Sequence, residues 1–436
     1  MTGSAKDATM GDIKKSAAAT SDSFFSLPEK NEKEVVEEEE EFKDETVDEK
    51  RVRLAKMYLE KLAVLEKEEE LSREEEEVDK IDQILQNEAF AEKSGRGYKF
   101  LVIADKIGAS PTAKDIKVIH GQKLCVTSLA LADDDSVFYS ASKDGSIVKW
   151  DVKTMKKIFT FKSAKKNSTQ PGHLGPVYSI ALTSDGGLLA SGGNDKKIKL
   201  WDTKTHQLVD TFIGHRDKVT GVAFQVGTRK LYSTSFDRAV KVWNCDTRAY
   251  LETLYGHTAA PHSLHALRRD RCITCGYDRS IRMWKIQEET QLVFTSKEVG
   301  ASMDCVFMVT EEIWITGSQD GSLALWNIQK KKPLHVIKHA HGFDSLTPHW
   351  ISAIAALPFS DIIATGSCSG SINLWKMVNS RELHFVKSIP LEGWINALQF
   401  SKSGRFLIAG VGKDQRFGRW GVSKNAKNGV ALVPLQ

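Results

Sequence analysis

A tryptophan recurs along this chain at nearly constant spacing, six residues after a turn position that is usually aspartate. The clearest unit is 214–244, GHRDKVTGVAFQVGTRKLYSTSFDRAVKVWN. In it His215 opens the unit, Ser233 lies four residues before Asp237, and Trp243 lies six residues after it. Alternating apolar residues predict three strands joined by short turns. One such sheet cannot bury both of its faces, so the unit requires neighbouring copies.

The unit recurs seven times, and its tryptophans are 51, 42, 41, 42, 49 and 45 residues apart. This period and register resemble those of WD repeats, which are about 40–45 residues long. The sequence therefore predicts an all-β fold, a seven-bladed WD-repeat β-propeller. Six units keep the aspartate, and the other has Ser369 before Trp375; the six pairs are Asp144/Trp150, Asp195/Trp201, Asp237/Trp243, Asp278/Trp284, Asp320/Trp326 and Asp414/Trp420.

In WD repeats a histidine, a hydroxyl, the aspartate and the tryptophan form one chain of hydrogen bonds. The resemblance assigns structural tetrads to two units in full: His215, Ser233, Asp237 and Trp243, and His257, Thr274, Asp278 and Trp284. The hydroxyl is also present in four other units, but the last unit has Gly410 four residues before its aspartate. Histidines fit at His120, His173 and His341, and none precedes the fifth unit.

The N-terminal part of the chain has a different composition. Residues 1–50 include a long glutamate run and are predicted to be a disordered acidic tail. Residues 51–93 place Leu54, Tyr58, Leu62 and Leu65 on one face of a charged helical segment. This segment is either a solvated helix or a helix that docks on a partner. The propeller is expected to occupy residues 94–436.

The formal charge of +4 conceals an asymmetry. Residues 1–92 carry 14 Lys and Arg against 28 Asp and Glu, a net of −14, and the remainder carries 47 against 29, a net of +18. A basic propeller indicates a polyanionic partner. The alternative is that the charges serve solvation and contact between tail and propeller.

Several classes of function lack their sequence signals. No secretory signal, membrane span, P-loop, dinucleotide motif or nucleophile elbow is visible, so we expect no enzyme, no cofactor and no membrane association. The six cysteines are expected to be reduced, with Cys272 and Cys275 packed in the core. His339 and His341 lack a third ligand at metal-site spacing, so no metal is expected.

The two chain ends both supply a strand that fits the outer position of the last blade, at 115–119 and 429–435. Propellers commonly close their ring by pairing the two termini, which removes a free sheet edge. The sequence leaves open which segment takes the outer position.

Basic residues in two insertions are the candidate nucleic-acid contacts. The last blade holds Lys413, Arg416, Arg419 and Lys424 among glycines. Lys413, Arg416 and Arg419 are predicted to lie on or just after the turn between its second and third strands, where they share one rim. For Arg419 the alternative is a strand position facing the next blade, since it precedes Trp420. The insertion between the first two blades adds Lys165 and Lys166, beside Lys162. Lys and Arg neutralise phosphates, and glycines allow close backbone approach. Such clusters are also common on solvated surfaces, as for Arg268, Arg269 and Arg271 or residues 330–332.

Several stretches resemble one particular family. RLAKMYLEKL, DGSLALWNIQKKKPL, ISAIAALPFSDIIATGS and above all GVGKDQRFGRW are similar to the WD-repeat proteins of the U3 box C/D small nucleolar ribonucleoprotein (snoRNP), over about residues 45–436. The resemblance implies binding to the B/C-box region of a box C/D small nucleolar RNA together with a small kink-turn-binding protein. It also implies a nucleolar role with other small-subunit processome proteins in pre-rRNA processing. The alternative is a protein-only WD-repeat scaffold that binds peptides or substrates in another complex.

Overall fold

Seven four-stranded antiparallel sheets follow one another along the chain. They are seen in a computed structural model, which describes residues 100–107, 115–165, 171–296, 301–344, 347–418 and 421–435. These residues all belong to one unit, Asn87–Gln436. The predicted acidic tail 1–50, the predicted helical segment 51–93 and the start of the propeller at 94 lie outside the described residues.

The first four blades each use four consecutive strands, mostly five to seven residues long. A short strand β1 (Lys117–Ile119) precedes them. Blade 1 contains β2 (Val126–Leu131), β3 (Val137–Ser142), β4 (Ile147–Asp151) and β5 (Lys157–Phe161). Blade 2 contains β6 (Val177–Leu182), β7 (Leu188–Gly193), β8 (Lys197–Asp202) and β9 (Leu208–Ile213). Blade 3 contains β10 (Val219–Phe224), β11 (Lys230–Ser235), β12 (Ala239–Asn244) and β13 (Ala249–Tyr255). Blade 4 contains β14 (Pro261–Ala266), β15 (Arg271–Gly276), β16 (Ser280–Lys285) and β17 (Thr290–Thr295).

Between blades 5 and 6 of the last three blades lies a small hairpin, and blade 7 contains the closure of the ring. Blade 5 contains β18 (Met303–Met308), β19 (Ile313–Ser318), β20 (Leu323–Asn327) and β21 (His335–Ile337), and the hairpin is β22 (Phe343–Asp344) with β23 (Thr347–Pro348). Blade 6 contains β24 (Ile351–Ala356), β25 (Ile362–Ser367), β26 (Ser371–Val378) and β27 (Glu382–Pro390). Blade 7 contains β28 (Trp394–Phe400), β29 (Phe406–Gly412) and β30 (Gly429–Pro434).

The first strands of the seven blades contact one another in circular order, and β28 returns to β2, so the blades form a closed ring. A separate apolar cluster fills each of the seven interfaces between neighbouring blades. The tryptophans contribute to these clusters, as Trp201 does between blades 1 and 2 and Trp243 between blades 2 and 3. Because each blade is apolar on both faces, burial requires the ring. The prediction of a seven-bladed β-propeller is confirmed.

Both chain ends enter blade 7, but they do not compete for one position. The strand order is β1-β30-β29-β28, so the C-terminal strand is third and the N-terminal strand is outermost. Lys117 pairs with Leu432 and Ile119 with Val430. The N-terminal strand protects the edge that the C-terminal strand would otherwise leave open.

The stretch Phe100–Ile107 lies against blades 6 and 7. Leu101 forms a parallel bridge with Ser360, and a 3-10 turn spans Ala104–Lys106. The buried carboxylate of Asp361 accepts hydrogen bonds from the backbone N–H groups of Ile103 and Ala104, at 2.7 and 3.1 Å. Within the described ranges, no helix has the length and apolar character required to cross a bilayer.

Candidate functional site

The ring has two faces that the strand order defines. The upper face carries the turns between second and third strands and the connections from each fourth strand to the next blade. The lower face carries the turns between first and second and between third and fourth strands. Residues at equivalent turns of different blades therefore lie on the same face, around an axial channel lined by the first strands.

Blade 3 contains the complete hydrogen-bond network expected from its sequence. His215 contacts Asp237 through Nδ1 at 2.9 Å and Ser233 through Nε2 at 2.9 Å, and the Trp243 indole donates to Ser233 Oγ at 2.8 Å. Burial alone would raise the pKa of Asp237, but the hydrogen bond and charge of His215, with backbone donors, lower it to about 2. The carboxylate thus stays ionised inside the blade.

Blade 4 repeats the arrangement with a threonine. His257 contacts Asp278 at 2.8 Å and Thr274 at 2.7 Å, and Trp284 donates to Thr274 Oγ1 at 2.9 Å. Blade 2 has the same network, formed by His173, Asp195, Ser191 and Trp201. These tetrads join the upper turn to the sheet, and they have a structural function.

Blade 6 has a neutral version of the network. His341 contacts Thr365 at 2.9 Å, and its other nitrogen contacts Ser369 at 3.1 Å, where other blades have aspartate. Burial lowers the pKa of His341 to about 4, with a smaller contribution from His349. A hydroxyl offers no negative charge to offset that burial.

Blade 1 differs from the sequence prediction at its histidine. His120 is exposed and contacts the backbone carbonyl of Asn428 at 2.9 Å, so it does not reach Asp144. The backbone N–H of Lys123 donates to Asp144 instead, and Trp150 still donates to Ser140 at 2.8 Å. In this unit the order is His-Gly, whereas blades 2 to 4 have Gly-His.

Blade 7 lacks the network, and its predicted register was wrong. Its third strand is β30, so the spacing from Asp414 to Trp420 does not mark that strand. Leu407 pairs with Val433, where blade 3 pairs Leu231 with Trp243. By the same register Ala409, not Gly410, takes the position of the Ser233 hydroxyl. A valine and an alanine replace the tryptophan and the serine.

The connection from β29 to β30 turns into the axial channel. We call its first part, residues 413–418, the plug loop. Arg416 Nη2 donates to the backbone carbonyls of His262 at 2.8 Å and Thr220 at 3.2 Å, in blades 4 and 3. The structure therefore places Arg416 inside the channel and not on the exposed rim predicted for it. Burial lowers the pKa of its guanidinium to about 10, and its Nε atom is buried with no hydrogen-bond partner among the described residues.

Phe417 packs across the upper part of the channel. Its ring lies 4.9 Å from the ring of His262, nearly parallel to it, and 5.3 Å from that of Tyr178. Phe236 makes an edge contact at 6.0 Å. The plug loop of blade 7 thereby contacts blades 2, 3 and 4.

Lys143, in the upper turn of blade 1, fixes the plug loop from the other side. Its ammonium group pairs with Asp414 at 2.8 Å and donates to the carbonyls of Gly418, at 2.8 Å, and Gln415. Below the loop, a cavity of about 500 Å³ lies along the channel. Arg416 lines this cavity, together with Asp133, Arg268 and Lys402. No feature of the sequence identified Lys143 or Phe417, because their contacts join positions far apart in the chain.

The remaining predicted contact residues have different positions. Lys413 and Lys424 are exposed in the blade 7 connection, and Lys165 is exposed between blades 1 and 2. Arg419 and Lys166 lie outside the described residues. The cluster at 268–271 lies on the lower face, where Glu311 accepts the backbone N–H groups of Arg268 and Arg269. No group of three or more His, Cys, Asp or Glu suited to a metal occurs in the described part of the chain.

Comparisons with known proteins agree with this architecture. The family model "WD domain, G-beta repeat" matches residues 113–151, 164–202, 206–244, 248–285 and 342–376. Human U3 small nucleolar RNA-interacting protein 2 is 44% identical over 401 residues, which cover 90% of this chain and 83% of the human protein. Ribosomal RNA-processing protein 9 of Saccharomyces cerevisiae is 25% identical over 526 residues, covering 92% and 91%.

A solved structure of RRP9 WD40 repeats superposes with a TM-score of 0.73 at 46% identity, covering 75% of this chain and 99% of that one. These relatives are RNA-interacting or RNA-processing proteins by name, which agrees with the prediction that the chain is not an enzyme. Identity of 44% across nine-tenths of the chain shows that it belongs to the family of U3 small nucleolar RNA-interacting WD-repeat proteins.

Proposed function

We propose that this protein is a non-enzymatic, RNA-binding component of the U3 snoRNP that acts in the nucleolus in pre-rRNA processing for the small ribosomal subunit. The observation that carries this proposal is the 44% identity, over 90% of the chain, to a human protein that interacts with U3 small nucleolar RNA. The yeast relative, by its name, acts in ribosomal RNA processing. The ring supplies a rigid surface on which upper-face residues can contact RNA.

In finer detail, we propose that the propeller contacts the B/C-box region of the RNA beside a small kink-turn-binding protein. Lys413 and Lys424 support this, since both are exposed in the same connection of blade 7. Lys165, Lys166 and Arg419 stay in the proposed contact set. Arg416 leaves it, because its guanidinium is bound to carbonyls inside the channel. Its proposed role is to hold the plug loop.

The test is binding of the full chain to a U3 B/C-box RNA, alone and with the kink-turn protein, against an unrelated structured RNA of equal length. Preferential binding to the B/C-box RNA is expected. Equal, weak binding to both RNAs would favour the protein-only scaffold.

The contact set is tested with Lys413→Ala plus Lys424→Ala. Losing two phosphate contacts should weaken B/C-box binding about tenfold and flatten the salt slope by about 1.5 to 2 units, with an unchanged melting temperature. The control is Lys330→Ala plus Lys331→Ala, which removes the same charge from exposed lower-face positions. Equal losses in the two double variants would mean that net charge, not the blade 7 connection, sets the affinity.

A further inference from the structure

The residue after the turn aspartate or serine on the upper face divides the blades into two groups. Blades 1 to 6 each have such a turn, and in all six this residue has a left-handed backbone conformation. In three blades it is glycine, and in three consecutive blades it is lysine or arginine. The glycines are Gly145, Gly321 and Gly370 in blades 1, 5 and 6, with φ of 83°, 73° and 79°; the basic residues are Lys196, Arg238 and Arg279 in blades 2, 3 and 4, with φ of 64°, 69° and 56°.

Glycine suits this backbone, because any other L-residue brings its Cβ close to a neighbouring carbonyl oxygen. The turn itself does not need a longer side chain, since glycine forms it in blades 1, 5 and 6. Blades 2 to 4 thus retain a backbone strain that the fold does not require. The turn geometry therefore does not explain why these three blades have a long basic side chain at this position.

Among the residues that the structure describes, the three basic side chains also have no carboxylate partner. Lys196 donates to the backbone carbonyl of Arg216 at 2.8 Å. The guanidinium groups of Arg238 and Arg279 have no hydrogen-bond or ion-pair partner among the described residues, and both are exposed. The preceding aspartates of the three turns point inward to their histidines, with side-chain exposures of 7%, 9% and 3%. In the described upper turns of blades 2 to 4, the exposed negative charge comes from Asp217. Arg216 beside it is also exposed and adds a further positive charge.

Two large exposed apolar residues lie at the ends of outer strands, each paired with the residue that follows one of these cations. Tyr255 ends β13 opposite Ala239, the neighbour of Arg238, and is 73% exposed. Ile213 ends β9 opposite Lys197, the neighbour of Lys196, and is 70% exposed. An exposed tyrosine on the same face as exposed cations can stack on an unpaired base while the cations contact phosphates.

We propose that the upper face of blades 2 to 4 is a binding site for single-stranded RNA. Lys196, Arg238 and Arg279 contact phosphates along one strand, and Tyr255 stacks on a base. This proposal rests on the proposed RNA-binding function but concerns a sector separate from Lys413 and Lys424. Duplex RNA is disfavoured because its bases are already stacked and paired.

The decisive variant is the triple change Lys196→Gly, Arg238→Gly and Arg279→Gly, which we call the glycine triple. It gives blades 2 to 4 the residue that the other blades use, so the melting temperature should hold or rise. Affinity of the full chain for a 20-nucleotide single-stranded RNA of mixed sequence should fall more than tenfold, and the salt slope should flatten by about two units. The matched control is Lys330→Gly, Lys331→Gly and Lys332→Gly on the lower face, which should keep most of the affinity.

Tyr255 is tested separately. Tyr255→Ala should weaken binding of the same RNA about fivefold or more without altering the salt slope, because a base contact involves no charge. Tyr255→Phe should bind the RNA as tightly as the wild-type protein does, since the aromatic ring is retained.

Three results would overturn the proposal. The first is that the glycine triple binds the single-stranded RNA as tightly as the wild-type protein does. If the wild-type protein also binds U3 B/C-box RNA, the proposed function still stands. The second is tighter binding of the wild type to the annealed duplex than to the single strand. The third is a glycine triple that loses affinity for a poly-glutamate peptide but not for RNA, which would identify the surface as a site for acidic protein. Failure of the wild type to bind the B/C-box RNA would count against the proposed function instead.

Discussion

Blade 3 and blade 7 have the same four-stranded sheet but different means of stabilisation. In blade 3 the strands are consecutive, and His215, Ser233, Asp237 and Trp243 link the upper turn to the sheet. In blade 7 the strands come from both chain ends, and the tetrad positions hold Ala409 and Val433. Its upper connection is fixed by contacts to other blades.

The difference shows two ways of holding an upper turn. A short turn after an aspartate can be fixed by groups of its own blade. The long connection after β29 cannot, because β30 begins only at Gly429, and it is held by Lys143, by Phe417 in the channel and by the carbonyls that bind Arg416. Blade 7 thus depends on the completed ring, whereas blade 3 has an internal network.

The largest effect is expected from the tryptophan position. Trp243→Ala should reduce the free energy of unfolding by about 3–5 kcal/mol, since a buried ring and a network donor are lost together. The matched change Val433→Ala, at the same register position of blade 7, should cost only ~2 kcal/mol. Chemical denaturation of both variants measures this. Equal losses would show that the network adds nothing beyond the buried area.

The next effect concerns the plug loop. Lys143→Met should cost about 2–3 kcal/mol, because Asp414 and two carbonyls lose their donor in a mostly buried place. Lys149→Met is the control; Lys149 donates to one carbonyl, that of Thr203 at 3.0 Å, so it should cost under about 1 kcal/mol. Denaturation midpoints compare the two. A loss no greater than that of the control would mean that the loop is held without Lys143.

The smallest effect concerns pH. His341 has a folded pKa of about 4, below its ordinary value of about 6.5. Between these values the unfolded chain binds a proton that the folded chain does not, so stability falls as the pH drops from about 6.5 toward 4. Ser369→Asp supplies a carboxylate, which should raise the pKa of His341 and reduce that fall.

Melting temperatures at pH 8 and pH 5 test this prediction. The variant and the wild type should agree within a few degrees at pH 8, and the variant should be the more stable at pH 5. Asp237 offers the comparison within the same molecule: its pKa of about 2 means that its contribution is lost only as the pH falls from about 4 toward 2. Identical pH profiles for variant and wild type would show that Ser369 does not set the acid response.

The sequence predicted the ring and the tetrads of blades 3 and 4 because both depend on spacing within one repeat. The tryptophan period locates each blade, and the offsets from His215 to Trp243 lie inside a single hairpin unit. The same counting failed at Trp420 and Gly410, because β30 lies beyond a long connection and register over such a gap is set by pairing, not by spacing. The prediction for Arg416 failed for a different reason. Local density of basic residues cannot tell an exposed rim from a channel interior, which depends on His262 and Thr220, far away in the sequence.

Because Arg416 and Phe417 cross the channel near the upper face, the ring resembles a cup more than a tube. A linear polymer cannot be threaded along its axis from one face to the other. The 500 Å³ cavity lies below that crossing, and the lower-face residues Asp133, Arg268 and Lys402 are among those that line it. The plug loop therefore separates a ligand on the upper face from a segment inserted into the channel from below.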